Sequence, residues 1–440
     1  MKIALALYPI NDLGGIINHT EQLSFGLREL GHDVNLHILY YQSKFNSVKT
    51  RNQDKNWRNG AFVLCHQNYG WNARPWIEKL AYKGKDNLNK TLDILSKYDM
   101  IIWEIPVPTK LRAHYGNNDW PELYTACKKN IAIIHDGNAL STPWILEVKD
   151  HITALACVHQ CAFNTSKKFG IPTSLIFNPH DLSKVKDRYD YKLRNKGFLS
   201  LQVFKALKRV DDLIRAIPYL PSEYKKYIAG GGIEQRYMVS KNKIKPKYIC
   251  DRKNDPNLNK KFIDKPIWEV ATTYGMDYLG FISERKRDKI LRKIRTLIDP
   301  SWSQKYAING GHFNRVFIEA IKQGTIPIAI NKGISDNLEG ENFLFKPNIN
   351  YIMIDYRVTP KEYAQNIELA NELSTQDAEL IQSNNYDLLE LFERKNIANQ
   401  FIRLSKLKKC GYYKKIVRKK TDKNLLEESK KEFESFFRGK

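Results

Sequence analysis

The sequence predicts an α/β protein made of two doubly wound, Rossmann-like domains, and three observations carry that expectation. Short apolar runs of strand length alternate with amphipathic helical segments along much of the chain. The alternation restarts near residue 196 with a second series of the same kind. The length, 440 residues, fits about two or three domains.

In the first half, "KIALALYP" is a buried strand. "NDLGGIINHTEQLSFGLRELG" is a glycine-containing turn opening an amphipathic helix that starts near Asn18 and ends at Gly31, and "DVNLHILYY" is the next strand. This is a βαβ unit, which implies parallel strands. "YDMIIWEIPVP", "NIAIIHDG" and "ACVHQCAFN" supply further strands, and "TSLIFNPHD" closes the series near residue 180. In the second half, "KGFLSLQVF" is a strand, "ALKRVDDLIRAIPYLP" a helix and "KKYIAGGG" a strand. "DYLGFIS", the helix "SERKRDKILRKIRT" and the strand "LIDPSW" follow. In "GHFNRVFIEAIKQGTIPIAI", Val316, Phe317, Ala320 and Ile321 can pack one helix face, Gly324 ends the helix, and "IPIAI" is a strand.

The expected domains are residues 1–185, 186–395, and a basic helical segment, 396–440, packing back on the first. A crevice is expected between the carboxyl ends of the two sets of strands, where open α/β sheets bind ligands. Residues 239–265 are polar and basic and read as a surface excursion. Residues 401–440 carry 14 Lys and Arg against 5 acids, with helical periodicity in "NLLEESKKEFESFF".

The formal charge of +24 favours a polyanionic partner such as nucleic acid, or an anionic membrane surface. A generally Lys- and Asn-rich composition is the plain alternative. The 6 cysteines lack the paired spacing of a disulfide framework, so a reducing cytoplasm is expected. Cys157, His159 and Cys161 lack a second ligand pair and read as packing, so no metal is expected. "MKIALALYPI" reads as a first strand and not a signal peptide, and no apolar run approaches the ~18 residues of a membrane span.

Several residues fall where open sheets place chemistry. Gly14 and Gly15, between a strand and a helix, put backbone N–H groups where a phosphate can bind, although an ordinary tight turn explains the pair as well. Lys205 and Lys208 follow the first strand of the second half and suit a diphosphate; two solvated lysines are the alternative. His135 and Asp136 end a buried strand, and Glu104 ends another, so a proton carrier and hydrogen-bond acceptors stand at a sheet's carboxyl edge. Glu319 is the single carboxylate in its apolar helix-strand run. Burying it without partners would cost several kcal/mol. It is read as a crevice-facing acceptor for two ribose hydroxyls, with a surface helix glutamate as the alternative.

From Tyr278 onward, "YLGFISERKRDKILRKIRTLIDPSW" and "GHFNRVFIEAIKQGTIPIAI" resemble the donor-binding half of retaining glycosyltransferases of the two-domain GT-B fold. Glu319 matches the second glutamate of that family's Glu-x7-Glu motif, whose implied role is to hold the nucleotide ribose. Gly311, beside His312, stands where the first is expected. The family's diphosphate-binding Arg-x4-Lys survives as Lys208 alone, with Val203 at the arginine position and Lys205 as a substitute. Gln304, Lys305 and Tyr306, the run Gly324 to Pro327, the pair His135 and Asp136, and Gly31, His32, Val34 and Leu36 narrow the resemblance to the alpha-glucosyltransferases of T-even phages that modify hydroxymethylcytosine in DNA.

The resemblance implies a sugar moving from a UDP-sugar, UDP-glucose or a UDP-pentose such as UDP-arabinose, to the hydroxyl of a modified base in double-stranded DNA. The site residues it implies are His135, Asp136 and Lys208 for catalysis, with Gly14, Gly15, Lys205, His312, Asn314, Arg315 and Glu319 on the donor. Trp71, Arg74 and Trp76, in "YGWNARPWIEKLAYKGK", and Lys110 and Arg112 are candidates for stacking and phosphate contacts with a flipped-out strand. A core-facing aromatic helix is the alternative for that stretch. No tightly bound cofactor is implied, and the enzyme is expected to be a monomer in the cytoplasm, the host's if phage-encoded. Two other readings stand beside this one: a lipid or cell-surface glycan acceptor, and a DNA-binding protein on a degenerate transferase fold.

Overall fold

The computed structural model describes residues 1–8, 15–40, 77–81, 85–104, 120–135, 142–158, 160–183, 185, 190–203, 208, 210–231, 267–301, 315–330, 345–354 and 358–407. They form two compact units, Met1–Asp181 with Leu391–Lys440 and Leu182–Glu390.

The first unit runs β1 (Lys2–Leu7), α1 (Gly15–Glu29), β2 (Asp33–Tyr40), β3 (Ile77–Ala81), α2 (Lys85–Leu95), β4 (Met100–Trp103), β5 (Asn130–Ile134), α3 (Thr142–Val148), β6 (Ala154–Cys157), α4 (Gln160–Ser166) and β7 (Thr173–Leu175). All strand pairs are parallel, in the order β3-β2-β1-β4-β5-β6-β7. Parallel strands are covered on both faces, which is why "KIALAL", "MIIW", "NIAII" and "ALAC" are near-continuous apolar runs, buried throughout except for Lys2. The strand order reverses between β1 and β4, so the topological switch point lies there.

Three expectations change. Helix α1 begins at Gly15 and not near Asn18. The strand expected through "ACVHQCAFN" stops at Cys157, and α4 starts at Gln160. A short apolar run suits either period, and Ala162 is buried from the helix as Cys157 is from the strand. Within "YGWNARPWIEKLAYKGK", Ile77–Ala81 pairs with β2 as a strand, which excludes the helical alternative there.

The second unit runs β8 (Asn195–Val203), α5 (Val210–Ala216), β9 (Lys225–Gly231), α6 (Ile267–Thr273), β10 (Asp277–Tyr278), α7 (Glu284–Lys293), β11 (Ile294–Asp299), α8 (Arg315–Lys322), β12 (Ile326–Ile330), β13 (Ile352–Ile354), α9 (Pro360–Asn371) and α10 (Thr375–Leu389). Its parallel sheet has the order β10-β9-β8-β11-β12-β13, with the switch point between β8 and β11. Helix α5 gives way to a 3-10 turn at Ile217, where Pro218 cannot continue the ladder. Helix α7 is capped by the Ser283 hydroxyl, which accepts from the Lys286 N–H. It ends at Lys293, earlier than expected, because Ile294 and Thr296 join the sheet.

Arg194 fixes this part of the unit from within. Its guanidinium donates to the carbonyls of Gln323 (2.8 Å) and Leu291 (3.1 Å) and to Thr325 Oγ1 (3.3 Å), joining the ends of α7 and α8. Gly324, at φ +66°, turns the chain from α8 toward β12.

Helix α11 (Arg394–Leu404) belongs to the first unit and packs on α1. A Cβ on Gly26 would lie 2.2 Å from the Arg394 carbonyl oxygen, so the close approach of the helices requires glycine. Ile397, Ala398, Phe401 and Leu404 join the core, and Arg394 pairs with Glu29 and, at 3.4 Å, with Asp181. The expected helix in "NLLEESKKEFESFF" and the excursion at 239–265 lie outside the described residues. Among the described residues, no helix is long and apolar enough to cross a membrane.

Candidate functional site

In the first unit, three side chains meet at the carboxyl edge of the sheet, beside the switch point. Glu104 follows β4, and its backbone N–H donates to the Ala6 carbonyl (2.9 Å), tying it to β1. Trp103, immediately before it, stacks on Tyr124 with centroids 4.1 Å apart and donates from Nε1 to Asn130 Oδ1 (3.0 Å), so the strand end is anchored on both sides. His19 comes from the second turn of α1 and His135 follows β5. His19 Nδ1 lies 2.9 Å and 3.2 Å from the two Glu104 oxygens, and His135 Nε2 lies 3.4 Å from Oε2.

A carboxylate only accepts, so both imidazoles donate to it. The side chains of His19 and Glu104 are fully buried, whereas that of His135 keeps 13% of its surface. Burial alone would raise the Glu104 carboxyl; the charges and hydrogen bonds of His19 and His135 outweigh it and bring it down to about 2. Among the described residues this is the one His, Cys, Asp and Glu cluster with metal-ligand spacing, its ligand atoms all within 4.8 Å. The His19 contacts, 2.9 and 3.2 Å, are those of direct hydrogen bonds, and the His135 contact, 3.4 Å, is longer.

In the second unit, Glu319 sits on the inward face of α8 with 2% of its side chain exposed. Its Oε2 accepts from Arg287 Nη2 (2.8 Å) and Lys322 Nζ (3.1 Å), and its Oε1 lies 3.6 Å from Arg315 Nη2. Arg287, on α7, also pairs with Asp288 (2.8 Å) and Glu284 (3.6 Å). Burial disfavours the guanidinium charge, but Glu319, Asp288 and Glu284 more than compensate and raise its pKa above the ordinary arginine value. Protein cations therefore hold the Glu319 charge, and its burial excludes the surface helix glutamate that was the alternative.

At the switch point of this unit, Gln202 of β8 donates to Asp299 of β11 (3.3 Å), and Asp299 also accepts from the Ser301 N–H (3.1 Å). Lys208 lies just before α5, half-buried. Gly15 is the first residue of α1. The structure thus brings Glu319 together with Arg315, and His135 with Glu104. Gly14, Asp136, Lys205, His312, Asn314, Trp71, Arg74, Trp76, Lys110 and Arg112 lie outside the described residues. Sequence reasoning missed His19 and Arg287. For His19 the available signal was its place in the second turn of a helix opened by a glycine pair; Arg287 is one of several basic residues of α7 with nothing local to single it out.

The sequence matches no protein-family model and no curated protein. Solved structures do match. Anabaena HepE in complex with UDP aligns with a TM-score of 0.61 at 15% identity, over 92% of this chain and 100% of that one. An alpha-glucosyltransferase in complex with UDP-glucose and DNA containing an abasic site gives 0.59 at 15% identity, over 92% and 100%. A mutant of S. aureus TarM in complex with fondaparinux, alpha-GlcNAc-glycerol and UDP gives 0.58 at 11% identity, with the same coverage. The chain has the GT-B fold that its sequence resemblance implied.

Proposed function

We propose that the protein is a retaining glycosyltransferase that moves a sugar from a UDP-sugar to the hydroxyl of a hydroxymethylated base in double-stranded DNA. The observation that carries the transferase reading is the likeness in fold, over 92% of the chain, to three proteins solved with UDP or UDP-glucose. The DNA acceptor is supported by the alpha-glucosyltransferase solved with DNA and by the charge of +24, which suits a phosphate backbone.

In this reading the bond between the anomeric carbon and the diphosphate breaks, and the acceptor oxygen attacks on the same face. The acceptor proton goes to the departing phosphate oxygen. Charge therefore builds on UDP, and fixed donors aimed at it are the main electrostatic requirement. Lys208, Lys205, Arg315 and the N–H groups of the Gly14-Gly15 loop serve that role, with His312 and Asn314 on the phosphate or sugar. Glu319, already aligned by Arg287 and Lys322, accepts from the ribose hydroxyls. His135 and Asp136 orient donor or acceptor. A duplex base must be flipped out to react, with Trp71 and Trp76 stacking and Arg74, Lys110 and Arg112 on phosphates.

The test is mass spectrometry of nucleosides after incubation with UDP-glucose or UDP-arabinose and DNA containing cytosine, hydroxymethylcytosine or hydroxymethyluracil. A hexose or pentose mass added to a hydroxymethylated base is expected. Transfer to a glycan or polyol acceptor with every DNA unchanged would establish instead the second reading, a glycan acceptor, which the likeness to TarM with alpha-GlcNAc-glycerol favours. UDP-sugar hydrolysis by the purified protein counts against a degenerate, inactive transferase.

A further inference from the structure

Helix α7 has two chemically distinct sides. On the inner side Arg287 and Leu291 are buried, and Ile290 packs on the same cluster as Leu291. Both acids of the helix are drawn to Arg287, Asp288 at 2.8 Å and Glu284 at 3.6 Å. The outer side carries Arg285, Lys286, Lys289 and Lys293, all exposed, with Arg292 on the flank donating from Nε to Gln323 Oε1 (2.7 Å). At 100° per residue these positions fall within roughly 120° of the helix circumference, and no acid or apolar residue lies among them.

Scattered surface lysines are ordinary solvated charge. Here the acids that would oppose them are turned to Arg287, so the outward field has one sign along the whole helix. Such a stripe fits a row of anions. From Arg285 to Lys293 the helix rises about 12 Å, which along a duplex axis covers about three or four phosphates of one strand. A lipid surface fits less well, because a helix lying on a membrane needs a free apolar face, and Ile290 and Leu291 are committed to the core.

We infer that the outer face of α7 is a further DNA surface, on which Arg285, Lys286, Lys289 and Lys293 follow the phosphates of one strand of the acceptor duplex. The DNA contacts proposed above, Trp71, Arg74, Trp76, Lys110 and Arg112, all come from the first unit, whereas α7 belongs to the second. The choice of DNA as the polyanion rests on the proposed function. Contacts to phosphates add affinity and fix register without reading sequence.

Fluorescence anisotropy of a labelled, unmodified duplex with the full-length protein, over about 50 to 200 mM salt, tests this. Each phosphate contact contributes about 0.9 to the slope of log affinity against log salt. The combined variant Arg285→Gln, Lys286→Gln, Lys289→Gln and Lys293→Gln should therefore show a slope shallower by about 3–4, and bind at least ~10-fold more weakly at the low-salt end. A control with Lys192, Lys225, Lys346 and Lys361 each changed to Gln removes the same charge from exposed positions elsewhere in the unit, and should move the slope by less than about 1. Circular dichroism verifies that each variant folds. If the combined variant does not, Lys289→Gln alone should lower the slope by about 1.

A combined variant that loses no more than the control overturns the inference. So does binding to phosphatidylserine-containing vesicles that depends on α7 while DNA binding does not, which would make the face a membrane surface. The two layers fail separately. Transfer to a hydroxymethylated base with a salt slope indifferent to the α7 substitutions overturns the inference and keeps the proposed function. DNA binding that depends on α7, with transfer only to a glycan, does the reverse.

Discussion

Glu104 and Glu319 are both carboxylates held almost wholly out of water, one in each unit, and they are paid for differently. Glu104 faces two imidazoles, His19 at 2.9 Å and His135 at 3.4 Å. Glu319 faces Arg287 at 2.8 Å and Lys322 at 3.1 Å, with Arg315 at 3.6 Å. The second arrangement is a fixed lattice of charge, suited to holding an acceptor oxygen in place while a ligand comes and goes. In the proposed function the second carboxylate, Glu319, holds the ribose, and the first, Glu104, does not touch the donor.

Removing the two carboxylates should have unequal effects on stability. Glu319→Leu leaves the Arg287 and Lys322 charges buried without their shared counter-ion, which costs about 3–5 kcal/mol. Urea unfolding at pH 8 reads this directly, and a loss below about 1 kcal/mol would break the contrast. Glu104→Leu at the same pH strands two imidazole donors and should cost about 1–3 kcal/mol.

Acid sharpens the comparison. The folded-state pKa of Glu104 lies below its ordinary value, lowered from 4.5 to about 2 against the opposing effect of burial. Its stabilising contribution is therefore complete above pH 4.5 and is lost as the pH falls from there toward about 2. The gap in melting temperature between wild type and Glu104→Gln should narrow over that window, and a gap that widened would contradict the arrangement. The smallest effect is expected at Arg315, whose guanidinium is 3.6 Å from Glu319, the longest of its three cation contacts: Arg315→Ala should lower stability in urea by less than Glu319→Leu does.

The framework was legible because parallel strands buried on both faces must be apolar throughout, and "KIALAL", "NIAII" and "IPIAI" stand out for that reason. Residues whose burial depends on a distant partner were not. Glu319 was visible as a lone carboxylate, and Lys322 three residues on is a neighbour on the same helix face. Arg287 was not, because α7 offers Arg285, Lys286, Arg287 and Lys289, and only packing selects the one that turns inward. His135 announced itself by ending a buried strand, whereas His19 is one polar residue within an amphipathic helix, and its meaning appears only when Glu104 is placed beside it. The misread boundary at Cys157 has the same origin: a short apolar run is compatible with a strand or a helix until its neighbours choose.

The most direct measurement is the calorimetric affinity for UDP of three proteins: wild type, Glu319→Gln and Glu104→Gln, each verified as folded by circular dichroism. The division of roles predicts that wild type binds UDP, that Glu319→Gln binds roughly 10–100-fold more weakly through loss of a charge-assisted acceptor for the ribose, and that Glu104→Gln matches wild type. A wild type with no affinity for UDP, or a Glu104→Gln protein as impaired as Glu319→Gln, would contradict it.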